Sequence, residues 1–576
     1  MNSSHIVLFT IVLSAFLGGW SHKANAQSPG YLWAKSAGGT GADYGKSVSV
    51  DANGNVYVTG YFSSPSITFG ATTFTSNSSF DIFVVKYDAS GNVLWARNAG
   101  GPNDDNSNSI CVDASGNAYV TGFFQSPTIT FGTTTLTNTD NSGFTANIFI
   151  AKYDASGNIL WAKSAGAAVQ ADGRGIGVDA SGNVYLTGYF NGPSITFGSI
   201  TVTTSGSRDI VIVKYDASGN VLWAKKVGGP NVDQSNSISI DSKGNIIITG
   251  RFNSPTLTVG STTLTNTGGS DDFFIAKYDA SGNALWAKSA VGTDNDEGNS
   301  ISTNAQGNVF VTGWFSSTSL TFGSSTLTNT TTNGNRDMFV AKYDSAGTVL
   351  WAKSAGGNTE DNGTCIRTDA SGASYVSGYF FSTTITFGTT TLTNTTTINY
   401  SDMFVVKYDV AGNLLWAKSA GGTSNEYGYA LTIDASSKLV LTGAFTSPSV
   451  AFGSLTLTRN PNVNSYDLFI VKLDNTTTSL EREGPLCLPG SFSLGQNYPN
   501  PFNPSTSFQI SIPQHSMAVL KIYDVIGKEV ATLVDQELPA GQYSVQWNAT
   551  NQQSGTYFAT LRTGSFTQTR KVTLVK

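Results

Sequence analysis

An acidic side chain recurs at one place in a repeating pattern. Asp43, Asp105, Asp233, Asp296, Asp361 and Glu426 each stand eight residues before the first residue of a recurring core segment. One further unit has Ala171 there, with Asp172 next to it. Carboxylates gathered at one end of a repeat array would bind cations, calcium among them, or polar ligands. The same side chains can instead accept backbone N–H groups inside a tight turn of their own unit. Recurrence in nearly every unit favours this scaffold role, because a ligand site usually departs from the symmetry of a repeat. Asp43, Asp105, Asp172, Asp233, Asp296, Asp361 and Glu426 are therefore the ligand or cation candidates. No cofactor is expected beyond such a calcium ion, and the spacing assigns no metal ligand set.

Other chemistry is scarce. The three histidines are His5, His22 and His515, so the repeated region has none, which excludes a Ser-His-Asp triad or a His-ligated metal there. Its glutamates are Glu297, Glu360 and Glu426, near the entering loops of the fifth to seventh units; a carboxylate pair there is the one route to glycan cleavage. The Asp-Ala-Ser-Gly-Asn turns lack the alternating acids and closing Glu of a calcium-binding EF-hand loop, and read as hairpin turns. Residues that break the repeat, Arg174, Arg251, Trp314 and Arg367, mark where a ligand site would be sought. The expectation is a protein without catalytic residues.

These positions must be held by something regular. Cores begin at Asp51, Asp113, Asp179, Asp241, Asn304, Asp369 and Asp434, and Trp33, Trp95, Trp161, Trp223, Trp286, Trp351 and Trp416 recur every 62 to 66 residues. A fixed long period means one supersecondary unit stacked on itself. Each unit reads as four strands. Lys46–Val50 alternates apolar and small residues; Asn55–Gly60 follows the first Asp-Ala-Asn-Gly-Asn turn; Asp81–Asp88 is a Phe/Ile/Val run; Val93–Arg97 follows a second turn. Between the second and third lies a Thr-rich insert, Ile67–Thr75 in the first unit, read as an extra hairpin. The repeated Trp and the second-strand Phe residues are expected to pack between units, and the third-strand lysines to be solvated or paired between neighbours.

The two ends carry a counting clue. The last third strand, Asp467–Asp474, has no Leu-Trp segment after it, while an unmatched fourth strand, Tyr31–Lys35, precedes every core. Joining the two would remove exposed sheet edges. The fold expected is all-β: a seven-bladed β-propeller closed by the N-terminal strand. The pattern Asp-x-Ser-Gly-Asn-Val-Tyr-Val-Thr-Gly, then Asp-x-Phe-Val-x-Lys-Tyr-Asp, then Leu-Trp-Ala-Lys resembles the bacterial SBBP repeat family of seven-bladed β-propellers, over residues 30–474. The resemblance implies a fold and an extracellular or surface setting, and no defined activity.

Residues 475–491 read as a linker, and 492–576 as a small immunoglobulin-like β-sandwich of short strands between Gly and Pro turns. Asn497-Tyr-Pro-Asn-Pro-Phe-Asn-Pro504, the Tyr523-Asp-Val-Ile-Gly-Lys-Glu-Val530 stretch and the basic last strand resemble the type A C-terminal sorting domain of the type IX secretion system. That implies the secretion machinery as partner and a Gram-negative exported protein, secreted or held at the outer-membrane surface. Residues 1–26, an apolar run before Ala24-Asn-Ala26, read as a signal peptide. No later segment is apolar enough to span a membrane. Net charge of -6 argues against nucleic acid, and Cys111, Cys365 and Cys487 form no disulfide framework. The function expected is a non-catalytic binding, adhesion or envelope scaffold whose rim loops meet a polysaccharide or surface protein. The alternative is a polysaccharide lyase or hydrolase using carboxylates at the channel mouth.

Overall fold

The structure, a computed structural model, describes residues 30–576 except 77–78, 141–142, 267, 332, 397–398, 460–464, 476–479, 483–489, 539 and 551, with the backbone alone for 480–482. The signal-peptide reading of residues 1–26 lies outside the described residues. Among the described residues every regular element is a strand, and two compact units divide the described chain near Thr476.

The larger unit holds seven four-stranded antiparallel sheets of propeller-like repeats. In the first, Asp43–Val50 pairs with Val56–Phe62, which pairs with Asp81–Tyr87, which pairs with Val93–Ala99. The first strands of the others are Asp105–Val112, Gln170–Val178, Asp233–Ile240, Asp296–Thr303, Asp361–Thr368 and Glu426–Ile433. These first strands lie side by side in chain order, and the seventh also lies beside the first. The fourth strand of the seventh sheet is Tyr31–Ala37, antiparallel to Asp467–Leu473 with Ala34 opposite Val471. Each insert forms a separate two-stranded hairpin, Ser66–Phe69 with Thr72–Thr75 in the first unit. Their exposed faces carry cross-strand threonine pairs such as Thr68 and Thr73.

The core lies between neighbouring sheets. One apolar cluster joins Ile82 and Val84 of the first sheet to Val120 and Phe149 of the second; another joins the sixth, seventh and first. Phe62, Phe124, Phe190, Phe252, Phe315, Phe380 and Phe445 are all fully buried, each side chain contributing about 1.5–3 kcal/mol by leaving water. The tryptophans tie sheet to sheet: Trp33 Nε1 donates to Ala89 O at 3.1 Å, Trp95 to Ala155 O at 3.1 Å, and the series runs on to Trp351 and Val410 O. Each acceptor lies in the third-to-fourth-strand turn of the next sheet. Gly91 in that turn has φ +83° and would press a Cβ to 3.0 Å from Trp33, so both torsion and space require glycine. The seventh sheet has no such turn, and Trp416 Nε1 lacks a partner among the described residues.

The third-strand lysines are paired between neighbours, and five of the seven are also shielded from solvent. Lys86, Lys152, Lys277, Lys342 and Lys472 are buried, and each ammonium reaches a turn carbonyl of the next sheet, as from Lys86 to Ala155 O at 3.1 Å. Lys277 and Lys472 also pair with the turn carboxylates Asp241 and Asp434, both at 2.9 Å.

The smaller unit contains two four-stranded sheets sharing one core of Leu520, Ile522, Val545, Trp547 and Leu561 among others. Leu480–Arg482 pairs with Tyr543–Val545, so part of the expected linker belongs to this sheet. The strand Glu529–Leu538 escaped the sequence reading because its apolar positions do not alternate.

Candidate ligand site around a shared cavity

The recurring acids do not form an open ring. Each is the first residue of its first strand, not of a preceding loop, and Asp43, Asp105, Asp233, Asp296, Asp361 and Glu426 are all 0% exposed. Their oxygens are taken within their own sheet by a serine from the far end of the second strand. Ser64, Ser126, Ser254, Ser317 and Ser382 donate to the five aspartates at 2.6 to 2.8 Å. Backbone N–H groups add to this: Gly39 to Asp43 at 3.0 Å, Gly229 to Asp233 at 2.8 Å, Gly422 to Glu426 at 2.8 Å. The carboxylate closes the hairpin by binding the loops at its mouth, which is the scaffold role. Among the described residues no group of three or more His, Cys, Asp or Glu side chains is placed to hold a metal ion.

Burial shapes their titration. Desolvation pushes Asp43 up to about 6, Asp105 and Asp296 to about 7 and Glu426 to about 8. A like-charged neighbour adds to it: Asp81 raises Asp105, Asp272 raises Asp296 and Asp402 raises Glu426, each the first residue of the preceding sheet's third strand. The one boundary without this pairing has Asn147 against Ala171, and there the clamping serine is also missing, replaced by Gly192. Three positions change together.

Asp172 stands apart from the others. Its carboxylate accepts from Arg174 Nε at 2.8 Å and from Asn108 Nδ2 at 2.7 Å, and these two residues line a cavity of about 320 Å³ to which each of the seven first strands contributes one stretch. A register shift in every first strand, between Gly45 and Ser47 in the first sheet, leaves one residue unpaired. A bulge of this kind re-aims a side chain. The residues it presents are Lys46, Asn108, Arg174, Asn236, Asn299, Thr364 and Tyr429, all lining the cavity. Four of them pin one sheet to the next. Asn108, Asn236 and Asn299 donate to the carbonyls of Gly173, Gly298 and Gly363 at 2.9 to 3.1 Å, and Thr364 donates to Gly428 O.

Lys46, Arg174 and Tyr429 depart from that pattern. The Lys46 ammonium sits 4.0 Å from the centre of the Tyr429 ring. Burial, then the Arg174 charge, lowers its pKa to about 8. Around them the mouth is divided. On the sixth, seventh and first sheets an arc of aromatic rings runs through Tyr379, Tyr427, Tyr466, Tyr44, Tyr61 and Phe80, with successive centroids 4.8 to 6.1 Å apart. Tyr427 and Tyr429 stack with ring planes 7° apart. On the third to fifth sheets the equivalent positions carry charge. Arg208 lies 4.1 Å from the Tyr189 ring centre, Arg251 bonds Asp271 at 2.6 Å, and Arg336 lies 3.9 Å from that of Trp314. Glu297 accepts from Asn236 at 2.6 Å, and Arg251 lies 3.8 Å away.

Of the repeat-breaking residues singled out from the sequence, Arg174, Arg251 and Trp314 fall on this mouth. Arg367 lies three residues beyond the bulge of its strand and lines the same cavity. The aromatic arc was missed. Its members occupy positions whose identity changes from unit to unit, and only the order of the sheets brings them together.

Comparison with known proteins agrees with these two units. Residues 496–575 match the family described as secretion system C-terminal sorting domain, and residues 32–61 and 94–122 match the beta-propeller repeat family SBBP. An uncharacterized WD repeat-containing protein, L264 of Acanthamoeba polyphaga mimivirus, is 26% identical over 80% of this chain and 39% of its own length. The regulatory protein FlaEY of Caulobacter vibrioides is 32% identical over 19% of this chain and 12% of its own. The chain thus spans well under half the length of these curated relatives. Among solved structures, cobalt-substituted Synechocystis ACO aligns over 78% of this chain and 98% of its own, at 9% identity and a TM-score of 0.35. The chain carries SBBP beta-propeller repeats followed by a type IX C-terminal sorting domain, which indicates export and a cell-surface or secreted location.

Proposed function

We propose that Tyr31–Leu473 forms a closed seven-bladed propeller that acts at the outer-membrane surface as a non-catalytic binding module for a polysaccharide or surface protein. Closure is supported by the pairing of Tyr31–Ala37 with Asp467–Leu473 and by the side-by-side first strands that return from the seventh sheet to the first. The binding reading rests on one observation. The arc from Tyr379 to Phe80 breaks a symmetry that the scaffold residues keep. Half-buried tyrosines offer ring faces and hydroxyls at low entropic cost, a chemistry suited to recognition. The carboxylates on the charged side, Asp172, Asp271 and Glu297, each face an arginine, which suits holding a ligand better than proton transfer.

The test is a titration of the mature protein against a panel of bacterial surface polysaccharides and extracts, with Tyr44→Ala and Tyr427→Ala as variants. Binding lost in both variants is the expected result. Binding unchanged in both moves the site away from this mouth, and turnover of any polysaccharide overturns the non-catalytic reading.

A further inference from the structure

The cavity behind the aromatic arc has a charge of its own. Among the described residues the ionised side chains lining it are Lys46, Arg174 and Arg367, and no Asp or Glu lines it. Asp172 beside Arg174 offsets one of these charges. Lys46 has an aromatic face as its close partner, with no carboxylate within ion-pair distance among the described residues. Arg367 bonds only the carbonyl of its neighbour Ile366 among the described residues, at 2.8 Å. In a protein of net charge -6, cations gathered in a half-desolvated cavity repel one another, and an anion entering it relieves that repulsion. The volume of about 320 Å³ lies at the small end of the range for small-molecule sites. The Tyr429 ring lines it, with the Tyr427 ring stacked on Tyr429 at 5.7 Å. Apolar ring faces beside a cationic pocket match a pyranose ring that bears a carboxylate. They do not match a neutral sugar, which would leave the cations uncompensated.

Building on the reading of the mouth as a binding site, we propose that its ligand is an acidic polysaccharide, with a uronate carboxylate held by Lys46 and Arg367 and the sugar rings against Tyr427 and Tyr44. At a net charge of -6 the protein as a whole repels such a chain, and the cations of this cavity are what would draw it in.

The experiment uses the mature full-length protein and three probes: oligogalacturonate, its methyl ester, which keeps the sugar ring and removes the charge, and a sulfated glucan. Calorimetry is expected to show oligogalacturonate binding at least about tenfold tighter than the ester, the loss that one charged hydrogen bond makes. Lys46→Met and Arg367→Gln are expected to remove that preference while leaving ester binding in place, and Tyr427→Ala to weaken both. Circular dichroism and melting confirm that each variant is folded. Equal binding of acid and ester, or tighter binding of the sulfated chain, overturns the carboxylate assignment; if Tyr427→Ala still weakens binding, the mouth survives as the site. Binding that no variant alters overturns both readings, as does the absence of binding to all three probes together with the surface panel.

Discussion

Ser126 Oγ donates to the Asp105 carboxylate at 2.7 Å across 21 residues of one sheet, with neither side chain exposed. The third sheet lacks both members of this pair, having Ala171 and Gly192 instead. Ser126→Ala leaves a buried carboxylate short of a donor, which costs about 1–3 kcal/mol. The double change Asp105→Ala with Ser126→Gly copies the third sheet and is expected to cost less than the sum of its parts. Thermal melts of Asp105→Ala, Ser126→Gly and the double form the cycle that checks this.

The buried acids make stability depend on pH. Desolvation raises Asp43 to about 6, Asp105 and Asp296 to about 7 and Glu426 to about 8, above ordinary values of 3.8 and 4.5. The folded chain therefore keeps protons that the unfolded chain has released. Their contribution to stability is complete below pH of about 4 and is lost as pH rises toward about 8. Turn carboxylates act oppositely: hydrogen bonds from Asn92 and Asn283 hold Asp88 and Asp279 below their usual range, so acid weakens those turns. The melting temperature is expected to peak between about pH 4 and pH 6 and to fall toward pH 8.5, and Asp105→Asn to flatten that fall.

Pairing of the N-terminal strand with the last repeat can be trapped covalently. Ala34 and Val471 are directly opposed, and cross-strand Cβ atoms lie about 4.5–5.5 Å apart. Ala34→Cys with Val471→Cys is expected to form an intramolecular disulfide that shifts mobility on a non-reducing gel. Failure to link under oxidising conditions, in a folded protein, would remove circular closure.

Six of the seven first hairpin turns place glycine at a positive φ, for example Gly116 at 78°, whereas the seventh has Ser437 at 61°. A non-glycine residue in this region costs about 1–2 kcal/mol, partly offset by the larger unfolded-state entropy of glycine. Ser437→Gly is expected to stabilise the larger unit by about 0.5–1 kcal/mol, seen as a higher denaturation midpoint.

Much of this architecture is local and is written in the chain. Period-two alternation, Asp-x-Ser-Gly-Asn turns and the unmatched Tyr31–Lys35 segment announce four strands per unit and the partner of the last third strand, because a hairpin is specified by residues near one another. What the acids do was decided by packing. Asp105 looks the same in sequence whether it faces solvent or Ser126, and only the fold of the second strand brings the serine to it. The candidate site depended on tertiary structure most of all. The bulges that present Lys46, Arg174 and Tyr429 interrupt the alternation from which facing was read, and side chains about 60 residues apart in neighbouring units meet only through the order of the sheets. Tyr44 and Tyr427 come from opposite ends of the repeat array, and it is the return of the seventh first strand to the side of the first that sets both in one arc with Tyr466.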